Sequence, residues 1–494
     1  EEVLRKLPPH AVPWLERLEM HGWDDRKAVR RLLSAPEVQA CSALTVGWND
    51  EPPLDCLDLL DRDMVRDLTI NGEDSSFLHR LAEARQLRPH RLSLGTDKND
   101  ARGWAALAAS PVLADLRELA LDLEKDPHAV KVLVRAAHVQ RLERLHLSGD
   151  DFVGDDLRAL FASPLVERLA QLDISGYSGN LRGIVPGLAG DTRLRRLQRL
   201  DLGFNDLSTS DGEALAQATA IEQLTYLSLS SGTITDQGLR ALVNSDRLGP
   251  LEHLDLSCTG ISDAGLEALA SSPRLRQLRY LSVCRCQISA RGLRAVAESP
   301  HLAGLQYLDV GLNPLEEDAL DALAGSPQLG NLRGLRLAEL VIHVRTLERL
   351  VNSPVMKQVR SLDLANVVLG AEHVRVLAQA QELSALQEFS LYGSRAPVGG
   401  FAPLMDAGWL DQLVDLNLTG LRLDDDGLAR LLRTLRSGSL GILGLQRNGI
   451  SSRGAELLLQ WSGLQALGEL DLYGNQIPAN LEKQIMERVW RPVS

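Results

Sequence analysis

Tyr226, His253, Tyr280 and Tyr307 follow one another at 27-residue steps in a chain that has six tyrosines in all. A tyrosine offers a broad apolar ring with a polar tip, which suits it to the centre of a binding surface. A second set of residues recurs at 27- or 28-residue steps or multiples of 27. It contains Asp173, Asp201, Asp255, Asp309, Asp363 and Asp471, with Arg336 as its single arginine. A row of carboxylates steers a basic partner. The alternative is that these aspartates simply accompany the strand pattern they sit in. Paired carboxylates can also do acid–base chemistry. That needs an apolar pocket to raise a pKa, and these residues are expected on an open, wet wall, so no catalysis is assigned. His253, Cys258, Cys284 and Cys286 invite a zinc reading, but Cys-x-Cys is not a standard zinc spacing. No nucleophile elbow, phosphate loop, HExxH or dinucleotide fingerprint is present. The chain is therefore expected to need no metal and no cofactor, and not to be an enzyme.

These residues are positioned by a repeat. Residues 251–275 show the unit: L-x-x-L-x-L-x-x-T-x-I, then S-D-A-G-L-E-A-L-A-S-S-P-R-L. Leucine pairs separated by one residue recur from Leu44/Val46 to Leu470/Leu472, and every step from Leu200 onward is 27 residues. Alternation across L-x-L is a strand signal that turns both leucines to the core and the residues flanking them to the other face. Gly265, Leu266, Leu269 and Ala270 follow helical spacing. The Ser-Pro that follows ends the helix, because the residue before proline disfavours the helical region. Asn205, Asn313, Asn448 and Asn475 stand where the chain turns off the strand and can bond neighbouring backbone there.

Strands stack about 4.8 Å apart and helices about 8–10 Å. An array of such units is expected to bend into a horseshoe, an α/β solenoid with parallel strands on the concave face and helices on the convex face. Residues 1–43 read as an N-terminal cap built on a degenerate repeat (Leu15, Leu18, Met20, Trp23). Residues 44–477 read as the repeats, and 478–494 as a closing helix with Ile485, Met486 and Val489 turned inward. The residues one before, one after and three after each first leucine face the hollow. Tyr226, His253, Tyr280 and Tyr307 then form one ladder roughly 14 Å long. Two Gly/Pro-rich stretches, 175–193 and 393–408, replace the regular helix. Tyr392, Arg395 and Phe401 make the second the better candidate for contacts.

The pattern L-x-x-L-x-L-x-x-(N/C/T)-x-I-x-x-x-G-L-x-A-L-A-x-S-P resembles the leucine-rich-repeat family, in particular its ribonuclease-inhibitor type. The run GLEALASSPRLRQLRYL at 265–281 also resembles bacterial members with Gly-x-x-Ala-Leu-Ala helices. The resemblance implies a scaffold that binds a protein or peptide through its concave face, and that forms the recognition part of a larger sensor system. The second reading it carries is a bacterial effector or adaptor that recruits ubiquitination machinery or regulates a GTPase. That reading calls for a further domain before Glu1.

Composition narrows the partners. Net charge is −13 with no Lys/Arg run, which speaks against nucleic acid and anionic membranes. No apolar stretch reaches the length of a membrane span. Five cysteines, an odd number without framework spacing, suit reduced thiols in the cytoplasm. A capped stack does not require self-association, so a monomer is expected.

Overall fold

The computed structural model describes residues 17–20, 31, 34–35, 43–47, 65–72, 75–96, 100–123, 129–149, 154–176, 184–315, 318–397, 399–436 and 438–489. Most of the expected N-terminal cap lies outside these residues, as do Cys41, Cys56 and residues 177–183. The chain divides into two compact units. Unit 1 is Glu1–Ile234 with Asn244–Leu251, and unit 2 is Thr235–Val243 with Glu252–Ser494.

In unit 1 the strands are β1 (Arg17–Met20), β2 (Ala43–Gly47), β3 (Asp67–Gly72), β4 (Arg91–Thr96), β5 (Glu118–Leu123), β6 (Arg144–Ser148), β7 (Gln171–Ile174), β8 (Arg199–Asp201) and β9 (Tyr226–Ser228). Each pairs in parallel with the next, first leucine against first leucine: Leu68 against Leu92, Leu119 and Leu145 in turn. In unit 2 the strands are β10 (His253–Asp255), β11 (Tyr280–Ser282), β12 (Tyr307–Asp309), β13 (Gly334–Arg336), β14 (Ser361–Asp363), β15 (Glu388–Ser390), β16 (Asp415–Asn417), β17 (Ile442–Gly444) and β18 (Glu469–Asp471). They keep the same parallel register. Helices alternate with strands in both units, so each is an α/β repeat solenoid. The paired leucines from Leu68/Ile70 to Leu470/Leu472 are 0–5% exposed. The period-2 argument thus holds at each of them.

The helical half shows why its glycine is needed. The helix Asp263–Ser271 buries Gly265, Leu266, Leu269 and Ala270. Its first turn is capped from the preceding repeat: Asp236 Oδ1 accepts from the Ser262 and Gly265 amides at 2.8 and 3.0 Å. One repeat on, Asp263 does the same for Ser289 and Gly292. A Cβ at Gly265 or Gly292 would stand 2.5 Å from that carboxylate. After the helix, Ser-Pro opens a short turn, with Ser272 extended at ψ 119°. The serine hydroxyl also reaches back one repeat: Ser110 donates to the Ala82 carbonyl at 2.7 Å and Ser299 to that of Ala270 at 2.5 Å.

The strand exit is a second periodic device. Phe204, Ser231, Cys258, Arg285, Leu312, Glu339, Asn366 and Arg447 hold positive φ of 51–58°, and Gly393, Gly420 and Gly474 take the same place in their repeats. This left-handed residue turns the chain off the strand. Beside it, Asn448 is fully buried. Its amide nitrogen donates to Leu418 O at 2.8 Å, and its oxygen accepts from the Leu421 and Leu423 amides at 3.0 and 3.2 Å. Asn313 and Asn475 make the equivalent bonds to their preceding repeats.

Three expectations need correction. Both Gly/Pro-rich stretches retain a helix, Ile184–Gly190 and Ala402–Met405. Pro186 and Pro403 stand in the first turn of these helices, where a missing N–H costs no helical bond. Phe401 is 4% exposed and belongs to the core. In the terminal helix Ala479–Val489, Ile485 and Val489 face inward at i, i+4, but Met486 lies about 100° around the helix from Ile485 and is 36% exposed.

Asn448→Ala strands two amides and a carbonyl in the core and should cost about 3 kcal/mol or more, read from the shift of the urea unfolding midpoint. A loss below about 1 kcal/mol would mean that the side chain is dispensable to the turn.

Candidate functional site

The face of the unit 2 sheet that points away from the leucines carries the aromatic residues. His253, Tyr280 and Tyr307 stack on one another. Ring centroids are 3.8 and 4.6 Å apart and the planes lie 8° and 3° from parallel. Parallel register forces this, because the three residues are direct partners on β10, β11 and β12. The last ring lies against Gly334 on β13, where a Cβ would stand 2.4 Å from Tyr307 Cδ2. The ring faces are therefore taken up by one another and by the glycine, and the edges and hydroxyls are what remain for a partner. Burial pushes the Tyr280 hydroxyl up to about 12, helped by the charges of Asp255 and Asp309, and burial raises Tyr307 as well. Both phenols stay protonated donors at neutral pH.

The next column holds the carboxylates. Arg336 bridges two of them, Nη1 to Asp309 at 3.1 Å and Nε to Asp363 at 2.9 Å. Each aspartate also caps its own strand exit. Asp255 Oδ1 accepts from the Ser257 amide at 2.9 Å, Asp309 from Gly311 at 3.0 Å, Asp363 from Ala365 at 2.8 Å and Asp471 from Tyr473 at 3.0 Å. Asp309 is 3% exposed, and burial raises its carboxyl above the usual range. The expected uniformly wet acidic wall is thus corrected. At each of these four aspartates one carboxylate oxygen serves the backbone, and Arg336 pairs with Asp309 and Asp363.

In unit 1, Tyr226 has a different setting. The Arg199 guanidinium carbon lies 3.3 Å from its ring centroid, and its hydroxyl donates to Asp201 at 3.2 Å. Burial raises both the Tyr226 hydroxyl, to about 12, and the Asp201 carboxyl. Between β6 and β7, His146 Nδ1 lies 2.7 Å from Asp173, and that hydrogen bond raises the imidazole above its ordinary value. Sequence reasoning passed over Arg199, Gly334 and His146. Their signal was positional, since each is the register partner of a residue singled out: Tyr226, Tyr307 and Asp173.

Tyr392 is 47% exposed at the exit of β15, and Arg395 pairs its backbone with Val368. Neither touches the aromatic stack through any contact recorded among the described residues. Val341 and Val368, 81% and 72% exposed, add an apolar edge on the same turns that sequence reasoning did not mark. Cys258, Cys284 and Cys286 are free thiols. Cys286 is buried, with Sγ 3.2 Å from Leu256 O. Among the described residues no group of His, Cys, Asp and Glu is arranged to hold a metal ion, and no helix is long and apolar enough to cross a membrane.

Residues 194–216, 223–243 and 250–270 match the family described as Leucine Rich repeat. The chain contains leucine-rich repeats. No curated protein matches the sequence. Among solved structures it is similar to the mouse RP105/MD-1 complex, at 17% identity over 91% of this chain and 70% of that one, with a TM-score of 0.44. It is also similar to the internalin InlF of Listeria monocytogenes, at 18% identity over 85% and 93%, with a TM-score of 0.32. The yeast Rad7 and Elc1 complex matches at 16% identity over 80% and 85%, with a TM-score of 0.43.

The leucine-rich repeats of unit 2 make one electrostatic prediction. Because the folded Asp309 carboxyl titrates above its unfolded value, its contribution favours the fold in acid and is lost as pH rises through the folded value. Removing Arg336 raises that carboxyl further. Breaking a buried pair costs roughly 3–5 kcal/mol. The Arg336 side chain is 40% exposed, so Arg336→Ala should cost about 1–2 kcal/mol at pH 7 after solvent screening. The loss should shrink toward pH 4 as Asp309 takes up its proton. Unfolding curves at the two pH values check this, and an equal loss at both would exclude the assignment.

Proposed function

We propose that this chain is a non-catalytic protein-interaction scaffold that holds a protein or peptide partner against its strand-lined face, as the recognition part of a larger cytoplasmic system. The observation that carries the proposal is the His253–Tyr280–Tyr307 stack. Three rings held at van der Waals spacing lose little further freedom when a partner docks. Rigid aromatic anchors with polar tips suit the centre of an interface. Arg336, held between Asp309 and Asp363, adds a fixed polar rim beside them. Tyr226, with Asp201, would extend contact in unit 1, and Tyr392 and Arg395 would do so on the turns. A basic partner remains part of the proposal through Asp255, Asp363 and Asp471, which are only half-buried.

The test is affinity capture from the cells that make the protein, run in parallel with Tyr280→Ala/Tyr307→Ala and with Arg240→Ala on the helical side. A partner held by the wild type and by Arg240→Ala should bind the double variant at least about tenfold more weakly, a loss of about 1.4 kcal/mol. Equal retention by a double variant whose melting is unchanged would reject the aromatic stack as the contact.

A further inference from the structure

Away from the strand-lined faces, unit 1 holds an open pocket of about 430 Å³ at the ends where β6, β7, β8 and β9 begin. Its wall is formed by Arg168, Arg195 and Arg196, the side-chain amides of Gln198 and Gln223, and Glu143. Several arginines elsewhere in this unit pair with acids: Arg141 with Asp115 at 2.8 Å, Arg144 with Glu118 at 3.1 Å, Arg193 with Asp191 at 2.8 Å and Arg247 with Glu222 at 2.6 Å. The pocket arginines do not. Among the described residues Arg168 and Arg196 make no ion pair and no side-chain hydrogen bond, and Glu143 pairs with none of the three. Arg195 is aimed by its own chain: Nε donates to the Thr192 carbonyl at 3.0 Å, which leaves both terminal amino groups unengaged. In a protein of net charge −13, three uncompensated guanidiniums around one cavity are a local excess of positive charge.

We propose that this pocket binds a phosphoryl dianion. Guanidinium forks match phosphate oxygens two at a time, and the two amides supply further donors. Three arginines against Glu143 leave two net positive charges in the wall. A phosphate monoester above its second pKa, about 6, carries a nearly equal and opposite charge. A carboxylate brings half of that and meets the same repulsion from Glu143. The arginines are exposed, so the pocket admits the group either as a free small molecule or on a phosphorylated side chain.

The probe is inorganic phosphate, titrated into the full chain and followed by its ³¹P resonance, with acetate as competitor. The expected result is a saturable shift that acetate does not displace at equal concentration. Affinity should fall at least about tenfold in Arg168→Gln/Arg196→Gln, stay unchanged in Arg141→Gln, and rise in Glu143→Gln. It should also weaken as pH falls through the second ionisation of inorganic phosphate and the probe loses its second charge. A second arm compares a short phosphoserine peptide with its unphosphorylated form. Tighter binding than inorganic phosphate assigns the group to a protein, and equal or weaker binding assigns it to a free ligand. An unsaturable shift, equal competition by acetate, or no change in both Glu143→Gln and a double variant of unchanged melting would each overturn the proposal.

Discussion

The structure depends on what happens to the backbone at the point where it leaves each strand. There the chain turns through a left-handed residue whose amide still bonds the next repeat, as Arg447 does to the Tyr473 carbonyl at 2.9 Å, and the backbone groups that follow pass into the core. A group buried without a partner costs about 1–3 kcal/mol, so the turn exists only if something supplies the bonds. Asn313, Asn448 and Asn475 supply them from one repeat to the last. Ser394 does so with a hydroxyl, donating to Leu364 O at 2.7 Å and accepting from the Val367 amide at 3.0 Å. At these turns the repeat is closed by its neighbour, which ties it to one register.

Constant register turns a one-dimensional spacing into columns. A residue chosen at one strand is brought about 4.8 Å from the residue 27 positions later. Like types then interact whether the contact helps or hurts. The same column position gives a ring stack at His253, Tyr280 and Tyr307, alternating charge at Arg91, Glu118 and Arg144, and like charge at Glu388 and Asp415. At Asp415 burial, Glu388 and Glu469 together raise the carboxyl. Each unit thus offers chemically distinct stretches on its strands, each made by ordinary cross-strand contacts.

Charge on this surface is less available than its count suggests. Asp201, Asp255, Asp309, Asp363 and Asp471 each accept a hydrogen bond from the amide two residues on, so one oxygen is a structural acceptor before any partner arrives. Uncompensated charge collects instead at the edge of unit 1, around Arg168, Arg195 and Arg196. Arg168 and Arg196 stand directly before the buried leucines Leu169 and Leu197 and Arg195 one residue earlier, at positions that the L-x-x-L-x-L pattern does not specify.

By itself the sequence determined the α/β solenoid, the strand positions, the parallel pairing and the membership of each column. Those follow from two periodicities, 2 within a strand and 27 between strands, and both are properties of spacing. It also placed Tyr280 beside Tyr307 and the asparagines at their turns. Tertiary structure alone decided how far each column residue is buried and what it touches: that Asp309 is sealed beneath Arg336, that Tyr307 lies flat on Gly334, that Phe401 turns into the core while Met486 turns out. Those outcomes depend on side-chain direction and on neighbours distant in the chain. A glycine opposite a ring or an arginine between two acids changes them without altering the repeat.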